Sequence, residues 1–125
     1  MAKKEAILMP NTENLPFSSA VRAGDFIFAS GAVGVRDAQG NPVEGIEAQT
    51  RQCLENIKRV LEKAGASLSD VVKAQVFLTQ SENWPRMNEV YTEYFPKDRP
   101  ARTALITNLI RPEMLVEIEC IAYKP

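Results

Sequence analysis

Fifteen Lys and Arg against sixteen Asp and Glu leave this 125-residue chain with a formal charge of −1, and no basic run gives it the electrostatic footprint of a nucleic-acid binder. The length fits one domain, residues 1–125, and the ordinary hydrophobic and charged fractions, 45% and 25%, exclude a disordered chain. No apolar stretch approaches the length of a membrane span. Met1-Ala2-Lys3-Lys4-Glu5 starts basic but lacks the apolar run of a secretion signal, so a cytoplasmic protein is expected.

The segment Asn11 to Phe17 reads as a loop, broken by Pro16. Phe26-Ile27-Phe28-Ala29, with Gly24 before it and Ser30-Gly31 closing it, reads as a buried strand. Asp37 to Pro42 is a turn where the chain doubles back. From Ile46 to Ala64 the pattern is helical: Cys53, Ile57, Val60, Leu61 and Ala64 share one face, and Gly65 stops the helix. Val71 to Leu78 is a strand with Val72, Ala74, Val76 and Leu78 on one face and Lys73, Gln75 and Phe77 on the other. Ser81 to Phe95 is a second helix, with Pro85 in its first turn and a buried stripe of Trp84, Met87, Tyr91, Tyr94 and Phe95. Thr103 to Thr107 forms a further strand. Leu115 to Ala122 alternates strictly, setting Val116, Ile118, Cys120 and Ala122 against Glu117 and Glu119.

Two amphipathic helices beside a sheet of five or six strands predict a two-layer α+β sandwich. Two helices cover one face only, yet Phe77 and the Phe26–Ala29 run put apolar groups on both. A partner subunit is the simplest cover for the second face, so a homo-oligomer is expected.

Histidine is absent, so no Ser-His-Asp triad, Cys-His dyad or His-ligated zinc site can form. Chemistry must rest on carboxylates, Arg, Lys, Ser, Tyr or backbone groups, and no cofactor is expected. Cys53 and Cys120 fall at core positions outside any CxxC pattern and read as buried thiols rather than a disulfide.

Arg102, just after Pro100 at the entrance to a strand, offers a stiffly approached fork for a carboxylate; pairing with a surface Glu is the plainer alternative. Glu117 and Glu119 lie two apart on one strand face, roughly 7 Å between carboxyl groups. That spacing suits a solvated polar face, or an acid/base pair if a subunit covers it and raises its pKa. Ser30 brings a hydroxyl, and Gly31 lets backbone approach a ligand, although a strand-ending turn explains both. Asn88 flanks the apolar stripe of the second helix, and Phe17 reads either as a core aromatic or as the wall of a pocket.

Taken together, Pro16-Phe17, Phe28-Ala29-Ser30-Gly31, Glu47-Ala48-Gln49-Thr50-Arg51-Gln52, Asn88-Glu89-Val90-Tyr91, Pro100-Ala101-Arg102 and Val116-Glu117-Ile118-Glu119 resemble the Rid family. These are the reactive imine/enamine deaminases, also described as YjgF-like or endoribonuclease L-PSP-like proteins. The resemblance covers essentially the whole chain. It implies a chorismate-mutase-like fold, a homotrimer with sites in its intersubunit clefts, and 2-imino or enamine acids as substrates. It further implies that Arg102 binds the substrate carboxylate and Glu117 positions the hydrolytic water. Ser30, Gly31 and Asn88 then line the pocket, with Phe17 beside them. Many deaminases of the family carry tyrosine at the position of Phe17 and cysteine at that of Ala104, and Thr107 to Pro112 departs from the usual segment after the arginine. These departures keep open an aminomuconate-type enamine deaminase and a non-catalytic carboxylate-binding or regulatory protein. The older ribonuclease description finds no support in the balanced charge.

Overall fold

The computed structural model describes residues 4–125; Met1 to Lys3, the start of the basic N-terminus, lie outside the described residues. Strand β1 (Lys4–Ile7), β2 (Ala20–Ala23) and β3 (Phe26–Val33) lead into helix α1 (Ile46–Lys63). β4 (Val71–Leu78), helix α2 (Trp84–Tyr94), β5 (Ala101–Ile106) and β6 (Val116–Tyr123) follow. The six strands form one sheet in the order β1-β2-β3-β6-β4-β5, antiparallel except for the β4–β5 pair.

The connections decide where the helices go. β3 and β4 both run antiparallel to β6 between them, so they are parallel to each other. The crossovers β3-α1-β4 and β4-α2-β5 therefore step the same way across the sheet. Crossovers of one hand and one direction place both helices on the same face. The result is the expected α+β two-layer sandwich. No helix among the described residues is long and apolar enough to cross a membrane.

Ile27, Leu54, Ile57, Val76, Leu78 and Ile118 are fully buried between helices and sheet. Cys53 and Cys120 are buried free thiols; Cys53 Sγ donates to the Ala32 carbonyl at 3.3 Å. The other face carries no helix and exposes Phe26 (42%), Phe28 (45%), Leu105 and Tyr123. The aromatic rings of Phe26, Phe28 and Tyr123 cluster there, 5.2–6.4 Å between centroids.

Several sequence readings need correction. Val72 is exposed rather than inward, because a register shift between Val71 and Lys73 gives its inward place to Val71. The stripe of α2 is Met87, Val90, Tyr91 and Phe95; Trp84 stays 45% exposed at the helix start, and Tyr94 is half-buried, its hydroxyl donating to Glu55 Oε2 at 2.7 Å. Ser81–Asn83 forms a 3-10 turn rather than the first turn of α2. Ser30-Gly31 does not close β3. The strand continues to Val33 through a bulge between Ala29 and Ala32, where two residues stand opposite Glu119 alone. Sequence patterning does not reveal β1 and β2, whose four residues each are too few to show a period.

Gly34 marks the closest approach of α1 to the end of β3. A Cβ there would collide with the Gln49 carbonyl and lie 3.0 Å from the Cys53 amide nitrogen. Both are helix backbone and cannot swing aside. Gly34→Ala should cost about 2 kcal/mol or more, seen as a lowered urea midpoint with an unchanged slope; an unshifted midpoint would mean that α1 yields freely.

Candidate active site

Parity along the strands sorts the candidate residues onto two faces. Ala74 pairs with Arg102 on one side and Cys120 on the other, and all three side chains point toward the helices. Phe77 pairs with Leu105 and Glu117, which point away. Arg102 and Glu117 therefore sit on opposite faces, with β4 between their strands. The structure does not bring them together within one chain.

The first cluster lies where edge strand β5 meets α2. Pro100 delivers the chain into β5, and Arg99 ties the turn before it, donating from Nε to the Phe95 carbonyl at 2.8 Å. The half-buried Arg102 side chain runs under α2, its guanidinium carbon 4.6 Å from the Tyr91 ring centroid and 5.2 Å from that of Trp84. Both are cation–π distances. Among the described residues no carboxylate lies within ion-pair distance of Arg102, and its N–H groups make no hydrogen bond; the ion pairs found are Arg51–Glu93 and Arg86–Glu47. Trp84, Asn88 and Tyr91 follow at i, i+4 and i+7, so Asn88 stands between the two aromatic residues on one helix stripe. Its amide also lacks a partner among the described residues. Ala104 is next along the same face of β5. Burial pushes the Tyr91 phenol up, and the Arg102 cation opposes that shift.

The second cluster lies on the open face at the β3 bulge. A Cβ on Gly31 would collide with Glu117 Oε2, so the missing side chain makes room for the carboxylate. Burial first, and the like charge of Glu119 second, hold the Glu117 carboxyl above the usual carboxylate range. Ser30 turns the other way: its Oγ donates to the Ser18 carbonyl at 2.6 Å and its N–H to the Ser19 carbonyl at 3.0 Å. These bonds moor the segment carrying the exposed Phe17 to the bulge. A depression of about 350 Å³ adjoins Glu117, walled by Phe77, Glu119 and the loop Thr107–Ile110. Gln49, fully buried on α1, steers the chain into β6: its amide donates to the Val43 and Glu113 carbonyls and accepts from the Leu115 N–H at 2.9 Å.

Residues 10–124 match the family model described as Endoribonuclease L-PSP. A RutC family protein of Pyrococcus horikoshii is 45% identical over 124 residues, covering 97% of this chain and 98% of that one. The 3-aminoacrylate deaminase RutC of Acinetobacter baylyi is 38% identical over 125 residues, covering 96% and 98%. The crystal structure of YyfA, a Rid family protein of Yersinia pestis, superposes with a TM-score of 0.86 at 36% identity, covering 96% and 98%. This chain belongs to the Rid family.

In this Rid protein the two candidate residues, Arg102 and Glu117, occupy separate faces of the sheet. Sequence reasoning missed Trp84 and Tyr91 as neighbours of Arg102, assigning both to the core. The signal was present in the i, i+4, i+7 spacing through Asn88, but only the β4–β5 pairing shows that Arg102 faces that stripe. The loop after β5, through Thr107–Ile110, contributes to the wall of the depression beside Glu117.

Proposed function

We propose that this Rid protein is a cytoplasmic homotrimer that hydrolyses 2-imino or enamine acids to 2-oxo acids and ammonia, at sites shared between neighbouring subunits. One observation supports this above the others: a half-buried guanidinium held on aromatic rings with no acid among the described residues to neutralise it. Such a fork suits a small carboxylate. The acid needed for hydrolysis lies on the opposite face, and that face is apolar enough to take a second copy. In the proposed assembly each site takes Arg102 and Asn88 from one copy and Gly31, Glu117 and the Phe17 segment from the next.

The chemistry then needs little more than positioning. Arg102 binds the carboxylate and Asn88 offers an amide to the polar end of the substrate. Ionised Glu117 takes a proton from water as its oxygen attacks the C=N carbon. The C–O bond forms, the π electrons move to nitrogen, and Glu117 passes that proton to the nitrogen, giving a carbinolamine. Its hydroxyl proton then moves through Glu117 to the amino group, the C=O double bond forms and the C–N bond breaks, releasing ammonia. One imine and one water give one 2-oxo acid and one ammonia. An enamine substrate first takes a proton on carbon and gives one up from nitrogen to become the imine.

Adding the protein to an amino-acid dehydratase reaction tests this directly: imine decay should accelerate, with 2-oxo acid and ammonia formed in equal amounts. An unchanged decay rate would overturn the proposal. The acid limb gives a second check. Glu117 works ionised and its pKa is raised, so activity should fall on acidification at a pH above the usual carboxylate range. Glu119→Gln removes the like charge that contributes to the shift and should move this limb to lower pH. A limb unmoved by that change would take the base role away from Glu117.

A further inference from the structure

We infer that Trp84 and Tyr91 are positioning residues that hold the Arg102 guanidinium ready for the substrate carboxylate; this rests on the carboxylate-binding role proposed for Arg102. A flexible arginine loses side-chain entropy when fixed, and proteins commonly fix one with Asp or Glu. A carboxylate partner would occupy the N–H fork and compete with an incoming anion. Ring faces attract the cation through their quadrupole without taking any N–H donor. Here the guanidinium carbon lies 4.6 Å and 5.2 Å from two ring centroids, and no acid among the described residues pairs with it. The fork is thus oriented and still unoccupied by any of the described residues.

The two rings divide the task. Tyr91 is 3% exposed and sits in the core as the floor. Its buried hydroxyl has no partner among the described residues, so the residue serves there through its ring. Trp84 is 45% exposed at the start of α2, where a large apolar side chain gains little from burial. Trp84 is therefore the wall whose removal need not disturb the fold. It is also the single tryptophan of the chain, so its fluorescence reports from beside the guanidinium.

Trp84→Leu and Trp84→Phe are the variants to compare with the native protein and with Arg102→Ala. Trp84→Leu should raise KM for the imine about tenfold while kcat stays within about threefold, and Trp84→Phe should restore most of the lost affinity because it restores a ring face. In the native protein, titration with 2-oxobutanoate should change Trp84 emission saturably, and Arg102→Ala should abolish the change. A Trp84→Leu protein with native KM, or one losing kcat alone, would overturn the positioning role while leaving that of Arg102 intact. An Arg102→Ala protein with full activity would overturn both. Should Trp84→Leu fail to fold, the native titration decides: no emission change at saturating 2-oxobutanoate overturns the clamp.

Discussion

Arg102→Ala should lower kcat/KM for imine hydrolysis by two orders of magnitude or more. A bidentate guanidinium–carboxylate contact supplies two charge-assisted hydrogen bonds, together roughly 3–5 kcal/mol, and tenfold in rate corresponds to about 1.4 kcal/mol. The loss should be large because the substrate carboxylate would then face two aromatic rings, Trp84 and Tyr91, in place of the guanidinium. Arg102→Lys should recover little. A point charge on a flexible stem cannot match a fork already held in plane. Stability should hardly change, since Arg102 makes no ion pair among the described residues whose loss would leave a buried acid unpaired. Single-turnover decay of enzymatically generated imine, with the uncatalysed rate subtracted, checks this. Native-like rates in Arg102→Ala would remove the carboxylate clamp.

Gly31→Ala should be nearly as damaging to activity as loss of Glu117 itself. The new methyl would occupy the place of Glu117 Oε2 and lie 3.0 Å from its carboxyl carbon. The carboxylate is the far end of a flexible side chain, so it can swing away. The fold should therefore survive within about 1 kcal/mol, while kcat falls by about two orders of magnitude, the usual scale of a misplaced general base. Gly34→Ala should do the reverse, because its clash is with helix backbone. Glu117→Gln separates position from charge. The folded pKa of Glu117 is raised, so its contribution to stability is full at low pH and is lost as pH rises through the folded value. Removing the ionised form should make Glu117→Gln melt higher than the native protein at neutral pH, with the gain fading in acid. A Gly31→Ala protein of native kcat would show that the acid acts from elsewhere.

The two faces explain what the sequence could and could not reveal. Strict alternation from Val116 to Ala122 gave β6 and the outward direction of Glu117 and Glu119, because one face of that strand is buried and the other is not. The two helices followed from their 3.6-residue pattern and the Gly65 stop. Irregularities stayed hidden. The bulges at Ser30-Gly31 and Val72 insert residues that alternation cannot flag, and their effect on facing depends on partner strands. The site shows the same limit. Arg102 and Glu117 could each be singled out, and the Rid resemblance gave them roles. Their placement on opposite faces follows only from the β5-β4-β6 order, in which Ala74 and Phe77 carry the two registers. Trp84 looked like core because helix periodicity does not reveal where a helix overhangs the sheet.

A site shared between subunits makes one sharp demand. Arg102→Ala and Glu117→Ala proteins, each inactive alone, are co-refolded in equal amounts and assayed for imine hydrolysis. If every site takes its arginine from one copy and its acid from the next, random assembly leaves about a quarter of the sites with both native residues, and about a quarter of native activity should return. Activity that stays at the level of the separate variants, in mixtures shown to contain hybrid assemblies, would contradict a shared site.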